Sequence, residues 1–137
     1  MASNFAQNAS ASQKVLVVED EPGLRFIISD VLTNDHGLEV VEAESGDQAL
    51  DLLQHDGDIG CVFTDVRMPG KLDGLALSRL VLRDHPGVKI LMTSGHLSPA
   101  DALEDIPFVS KPYDLTQVAA RIDQLIKQLG PRGNGRG

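Results

Sequence analysis

Short, uniformly apolar runs alternate with amphipathic stretches along this chain, the pattern of a parallel sheet covered by helices on both faces. The first run, Val15-Leu16-Val17-Val18, shows no polar alternation and so predicts a strand buried on both sides. Glu19-Asp20-Glu21-Pro22 interrupts it and opens a helix, with Pro22 tolerated in the first turn. Leu24, Ile27, Ile28, Val31 and Leu32 recur at the spacing of one helical face and are predicted to pack on the core. A weaker strand is predicted from Leu38 to Ala43. Ser45-Gly46-Asp47-Gln48 then has the form of a capping box, starting a helix through Ala49, Leu52 and Leu53 that ends near Gly57. Ile59 to Thr64 predicts a third strand, closed by Asp65.

Met68-Pro69-Gly70-Lys71-Leu72-Asp73-Gly74 is turn chemistry, followed by a third helix with Leu77, Leu80 and Val81 on its inner face. Val88 to Thr93 and Ile106 to Ser110 predict strands four and five. Asp114 with Gln117 caps a last helix through Leu115, Val118, Ile122, Leu125, Ile126 and Leu129. Residues 95–105 are left to cross between strands four and five, close to the minimum of roughly 10–12 residues for such a connection. The fourth helix is therefore predicted to be short, over 99–104. Residues 1–13, without a charged side chain, and the Gly-rich 130–137 cannot bury enough surface to offset their ordering entropy, and are expected to be flexible tails around a domain at 14–129.

The 137 residues, 42% of them hydrophobic, suffice for one compact core and not for two. Twelve Lys and Arg against 20 Asp and Glu give a formal net charge of -8, which argues against an electrostatic grip on nucleic acid or an anionic membrane. Residues 14–129 hold all 20 acids and 10 of the bases. A single cysteine, Cys61, makes no internal disulfide, and no Cys/His spacing resembles a zinc site. The N-terminus lacks a signal-peptide pattern and no stretch approaches the ~20 apolar residues of a membrane span. The expectation is a cytoplasmic, reducing setting. His36, His55, His85 and His96 read as ordinary turn or helix-end residues, and Cys61 as a small buried hydrophobe.

The residues that end the predicted strands are unusual. In an open parallel sheet, ligands sit beyond the carboxyl ends of the strands, so residues far apart in sequence converge there. Strand one ends in Glu19-Asp20, strand three in Asp65, strand four in Thr93-Ser94 and strand five in Lys111-Pro112. Two carboxylates ~5 Å apart repel by roughly 3 kcal/mol at an effective dielectric of ~20, and a third adds to this. A hard divalent cation is the natural partner, Mg²⁺ in particular being held by one or two carboxylates with waters and phosphate oxygens. Taken alone, Asp20 also fits, as the lesser reading, an N-cap of the first helix, with Glu21 favouring its dipole. That reading leaves Asp65 unexplained.

The acidic pair Glu19-Asp20, Asp65 within V-F-T-D-V-R-M-P-G, the following Asp73-Gly74, the T-S-G-H turn and K-P-Y together resemble a response-regulator receiver domain of bacterial two-component signalling, over residues 14–129. The resemblance implies a flavodoxin-like α/β fold: a doubly wound five-stranded parallel sheet in the order 2-1-3-4-5, with helices on both faces. It implies that Asp65 accepts a phosphoryl group from a phosphohistidine of a sensor histidine kinase or histidine phosphotransfer protein, forming an acyl phosphate. Asp20 and Asp65 would ligate Mg²⁺, the backbone carbonyl of Arg67 would supply a further ligand, and Glu19 would act through bound water. Lys111 would place its ammonium on a phosphoryl oxygen, and the Lys111–Pro112 bond is a candidate cis peptide. Side chains alternate along a strand, so one of Thr93 and Ser94 faces the site. The T-S-G form favours Thr93 as the switch hydroxyl, with small Ser94 leaving room for phosphate. Phe108 stands where the family often carries a switching aromatic, and fits an ordinary core position equally well.

Four features depart from the family pattern: the shortened fourth helix, on a face many receivers use for output, Glu19 in place of the commoner Asp, an extra residue within Gly70-Lys71-Leu72, and Arg67 two residues past the acceptor. The last leaves the dephosphorylation rate open. A flavodoxin-like cofactor binder would meet repulsion from Glu19-Asp20-Glu21, and a phospho-aspartyl hydrolase would want an acid where Arg67 stands. The remaining alternative is a pseudo-receiver, a protein-docking module that is never phosphorylated. With eight residues after Leu129, the expectation is a stand-alone receiver that signals to a downstream protein by contact; homodimerisation is left open.

Overall fold

The computed structural model describes residues 13–68, 70–94, 106–111 and 113–128. In chain order these form β1 (Lys14–Val18), α1 (Pro22–His36), β2 (Glu39–Ala43), α2 (Gly46–His55), β3 (Ile59–Asp65), α3 (Gly74–Asp84), β4 (Lys89–Ser94), β5 (Phe108–Ser110) and α4 (Leu115–Gln128). Every strand pair is parallel and the order is β2-β1-β3-β4-β5, as expected. The predicted helix at 99–104, His96 and the Lys111–Pro112 peptide bond fall outside the described residues, as do nearly all of both predicted tails.

Alternation along the central strands builds two cores. Val15, Val17, Cys61, Phe63 and Leu91 face Ile28 and Leu32 of α1 and Val118 and Ile122 of α4. Leu16, Val18, Val62, Ile90 and Met92 face Ala49 and Leu53 of α2 and Leu77 and Val81 of α3. Val15, Leu16 and Val17 are all fully buried, which is why this segment carries no polar residue. Cys61 is buried and free, and burial pushes its thiol up to about 12.

The strand edges depart from expectation by a residue or two, for identifiable reasons. The Leu38 amide donates back to the Leu32 carbonyl around Gly37, whose φ of 66° ends α1, so β2 starts at Glu39. Val88 donates to His85 in a turn, so β4 starts at Lys89. Pro107 has no amide to continue the ladder, so β5 starts at Phe108 and not Ile106, although the Pro107 carbonyl still accepts from Met92.

α1 is rotated from its predicted face. Ile28, Ser29 and Leu32 are buried, whereas Ile27 is 49% and Phe26 64% exposed. Leu24 and Val31 pack at the margin of the core. The inner stripe of this helix thus takes in two polar positions, Arg25 and Ser29, and Ile27 falls on the far side. At α2 the capping box forms with a change of partner: Ser45 Oγ accepts from the Gln48 amide (3.1 Å), but Gln48 Oε1 accepts from the Glu44 amide and not from that of Ser45. Asp114 Oδ1 accepts from the Thr116 amide at 2.9 Å and the Gln117 amide at 3.4 Å, capping α4.

Candidate functional site

Residue parity carries four side chains to one place. Glu19, Asp65, Thr93 and Lys111 each follow by two positions a residue of the α1/α4-side core, namely Val17, Phe63, Leu91 and Val109. They crown that core at the carboxyl ends of β1, β3, β4 and β5, where strand order reverses between β1 and β3.

Asp65 is the last residue of β3 and is 9% exposed. Its Oδ2 accepts from Lys111 Nζ at 2.8 Å, and its Oδ1 from the Arg67 amide at 3.3 Å. Beyond the strand, the Val66 amide donates to the Thr93 carbonyl (2.9 Å) and the Gly74 amide donates to the Val66 carbonyl (2.8 Å), closing the loop over the acid. A Cβ at Gly74 would lie 1.8 Å from the Asp65 carbonyl oxygen, so this approach admits only glycine. Asp73 secures the same corner by accepting from the Ala76 amide at the start of α3. The loop's extra length lies across the start of α2, where a Cβ on Gly46 would meet the Leu72 carbonyl oxygen at 2.1 Å.

Glu19 is buried, at 4% exposure, with its amide on the Ala43 carbonyl (3.0 Å) and its Oε2 accepting from the Glu21 amide (3.1 Å). Burial pushes its carboxyl up to about 7; Asp20 and the charge of Asp65 add to this, while the Glu21 amide and Lys111 oppose it. Asp20 is exposed, and the N-cap of α1 is Glu21 without a side-chain cap bond, so Asp20 is not serving as a helix cap. For Lys111, burial would lower the ammonium, but the Asp65 bond and the charges of Asp65, Glu19 and Asp20 outweigh it and raise it. All three acids therefore act on one ammonium. Thr93 pairs in register with Asp65, is fully buried, and its Oγ1 has no hydrogen-bond partner among the described residues. Ser94 pairs in register with Ser110.

The sequence model described as response regulator receiver domain matches residues 15–123. The chain belongs to that family. It is 34% identical over 131 residues to the sensor kinase CckA of Brucella abortus, covering 90% of this chain and 13% of that protein. Among solved structures, a response regulator receiver protein from Sinorhizobium medicae matches with a TM-score of 0.77 at 26% identity, covering 86% of this chain and 97% of the other. The receiver domain of NtrX from Brucella abortus matches with a TM-score of 0.73 at 28% identity, covering 83% and 98%. The chain spans less than a third of the length of the curated relatives it matches.

Receiver domains are signalling domains that generally bind Mg²⁺ at the phosphorylation site. Among the described residues, no group of three or more Asp, Glu, His or Cys side chains is arranged to hold a metal ion by itself. Mg²⁺ requires none, since waters and phosphate oxygens complete its shell. The donors are of the kind Mg²⁺ takes: the carboxylates of Glu19, Asp20 and Asp65 stand at the strand ends beside Lys111, and burial first, then the neighbouring acids, pushes Glu19 up to about 7. Phe108 packs, partly buried, on the α2/α3-side core, the face of the sheet opposite Thr93.

Three features of this receiver domain escaped the sequence reading. Arg25 Nη1 donates to the Glu19 carbonyl at 2.7 Å while its Nε donates to Glu42 Oε1 at 3.1 Å. The sequence held no signal for this, because Arg25 lies off the stripe that apolar periodicity assigns to α1. Tyr113 packs edge-on against Phe63 with ring centroids 6.1 Å apart, its hydroxyl buried without a partner among the described residues. Burial, helped by Glu19 and Asp65, pushes that hydroxyl up to about 12. His36, read as an ordinary helix-end residue, bonds through Nδ1 to Asp123 Oδ2 at 2.9 Å and ties α1 to α4.

Proposed function

We propose that this receiver domain is phosphorylated on Asp65 by a phosphohistidine of a sensor histidine kinase or a histidine phosphotransfer protein, and that it passes the signal to a downstream protein by contact. The observation that carries this reading is the 2.8 Å bond between Asp65 Oδ2 and Lys111 Nζ at the strand ends, beside two further acids. A carboxylate oxygen of Asp65 attacks phosphorus, the P–N bond to imidazole breaks, and the imidazole leaves with that electron pair and takes up a proton. Mg²⁺, held by Asp20, Asp65 and the Arg67 carbonyl, would offset charge on the phosphoryl oxygens and keep them in line. Lys111 then exchanges its Asp65 oxygen for a phosphoryl oxygen through a charge-assisted hydrogen bond. Thr93, with an unpaired buried hydroxyl, is the donor left to meet another phosphoryl oxygen. The buried free thiol of Cys61 supports a reducing, cytoplasmic setting, and no described helix is long and apolar enough to cross a membrane.

Transfer of labelled phosphate from a phosphorylated histidine kinase tests this. The wild type takes up label that hydroxylamine releases, as an acyl phosphate requires, and Asp65→Asn takes up none. Equal labelling of both proteins would refute the assignment.

A further inference from the structure

The Arg25 guanidinium bridges three elements at the edge of the acidic cluster. Its Nη1 donates to the backbone carbonyl of Glu19 at 2.7 Å, and its Nε to Glu42 Oε1 at 3.1 Å, on β2. The side chain is 17% exposed, so this is a braced arrangement and not a loose surface pair. Its own amide closes the first turn of α1 onto the Glu21 carbonyl at 3.0 Å. The carbonyl it holds belongs to the peptide joining Glu19 to Asp20. The same peptide run is pinned from the other side by the Glu19 amide on Ala43. With both ends of Glu19 fixed, the direction in which the next residue, exposed Asp20, leaves the strand is fixed too.

From this geometry we infer that Arg25 is a positioning residue for the acidic pair: by holding the Glu19 carbonyl against Glu42, it sets the orientation in which Asp20 offers its carboxylate to a divalent cation. The inference rests on the reading of Asp20 as a Mg²⁺ ligand. A guanidinium suits the task because its planar fork donates in two directions at once, to a carbonyl and to a carboxylate. Groups that orient a ligand are worth about 10-fold or more in metal affinity when removed.

The test is a calorimetric titration of the unphosphorylated full chain with Mg²⁺, beside its unfolding in urea without Mg²⁺. Arg25→Ala should weaken Mg²⁺ binding by about 10-fold, and Arg25→Lys, which keeps one donor, should recover part of the loss. Should Arg25→Ala fail to fold, Arg25→Met keeps the aliphatic stem, removes the donors and should lose as much. A purely structural brace would lower the urea midpoint and leave the Mg²⁺ affinity of the folded protein within about twofold of wild type, which overturns the inference. Wild-type protein that takes up no Mg²⁺ overturns instead the reading of Asp20 on which the inference stands.

Discussion

Thr93 lies directly across from Asp65 in the parallel pairing of β3 and β4, with its hydroxyl buried and unbonded. A buried hydroxyl without a partner costs about 1–3 kcal/mol, so the resting protein holds a donor that an added phosphoryl oxygen would satisfy. Thr93→Val keeps the shape and deletes the donor. It should leave the unphosphorylated protein as stable as wild type, or more stable by about 1 kcal/mol in urea unfolding. At the same time it should blunt the change in amide exchange that beryllofluoride, a phosphoryl mimic, produces over residues 93–110. Ser94→Ala should preserve that change; a Thr93→Val protein that responds like wild type would count against the switch role.

Gly74 is held by space and not by turn geometry, since the nearest atom to an added Cβ is the Asp65 carbonyl oxygen at 1.8 Å. Neither backbone can give way without moving the acceptor. Gly74→Ala should cost about 3 kcal/mol or more in urea unfolding, at or beyond the upper end for overpacking. Gly57→Ala, where a Cβ meets nothing within 4 Å, is the control. Equal effects of the two would show that the corner relaxes freely.

Most of the scaffold was legible in the sequence because it depends on alternation alone. Uniformly apolar runs such as Val15 to Val18 can be satisfied only between two helical layers, and the strand-end residues then converge by topology. The same parity places Glu19, Asp65, Thr93 and Lys111 above one core. What was not legible depends on rotation and on polar detail. Periodicity assigns α1 a stripe of five apolar residues, but packing turned it so that Ile27 faces outward and Arg25 inward, and no pattern of apolar residues encodes that turn. Gln48 reaching Glu44 and not Ser45 is a choice between two adjacent amides that sequence does not distinguish.

Mg²⁺ affinity should depend more on Asp20 than on Glu19. Glu19 is buried with an oxygen on the Glu21 amide, whereas Asp20 is exposed beside the site and is proposed as a direct ligand. Titrations of Asp20→Ala and Glu19→Ala decide it. Equal losses in the two variants would contradict the division of roles.

The link between α1 and α4 should be pH-dependent with a definite sign. Burial alone would push the Asp123 carboxyl up, but bonds from His36 at 2.9 Å and Lys127 at 3.2 Å outweigh it and hold it below its ordinary 3.8. A folded value below the unfolded one means the pairing stabilises the fold above that ordinary value and is lost as pH falls through the folded one. The stability gap between wild type and Asp123→Ala, about 1–3 kcal/mol for a charged hydrogen bond, should therefore close on acidification below pH ~4. A gap that widens there would be contrary to this assignment.

Phosphorylation of Asp65 is read out by the intact mass of the full chain after incubation with acetyl phosphate, with and without Mg²⁺. The wild type should carry a single adduct of about 80 Da, the mass of one phosphoryl group, when Mg²⁺ is present, strongly reduced without it and absent from Asp65→Asn. The same adduct on Asp65→Asn, or none on the folded wild type with Mg²⁺ present, would contradict it.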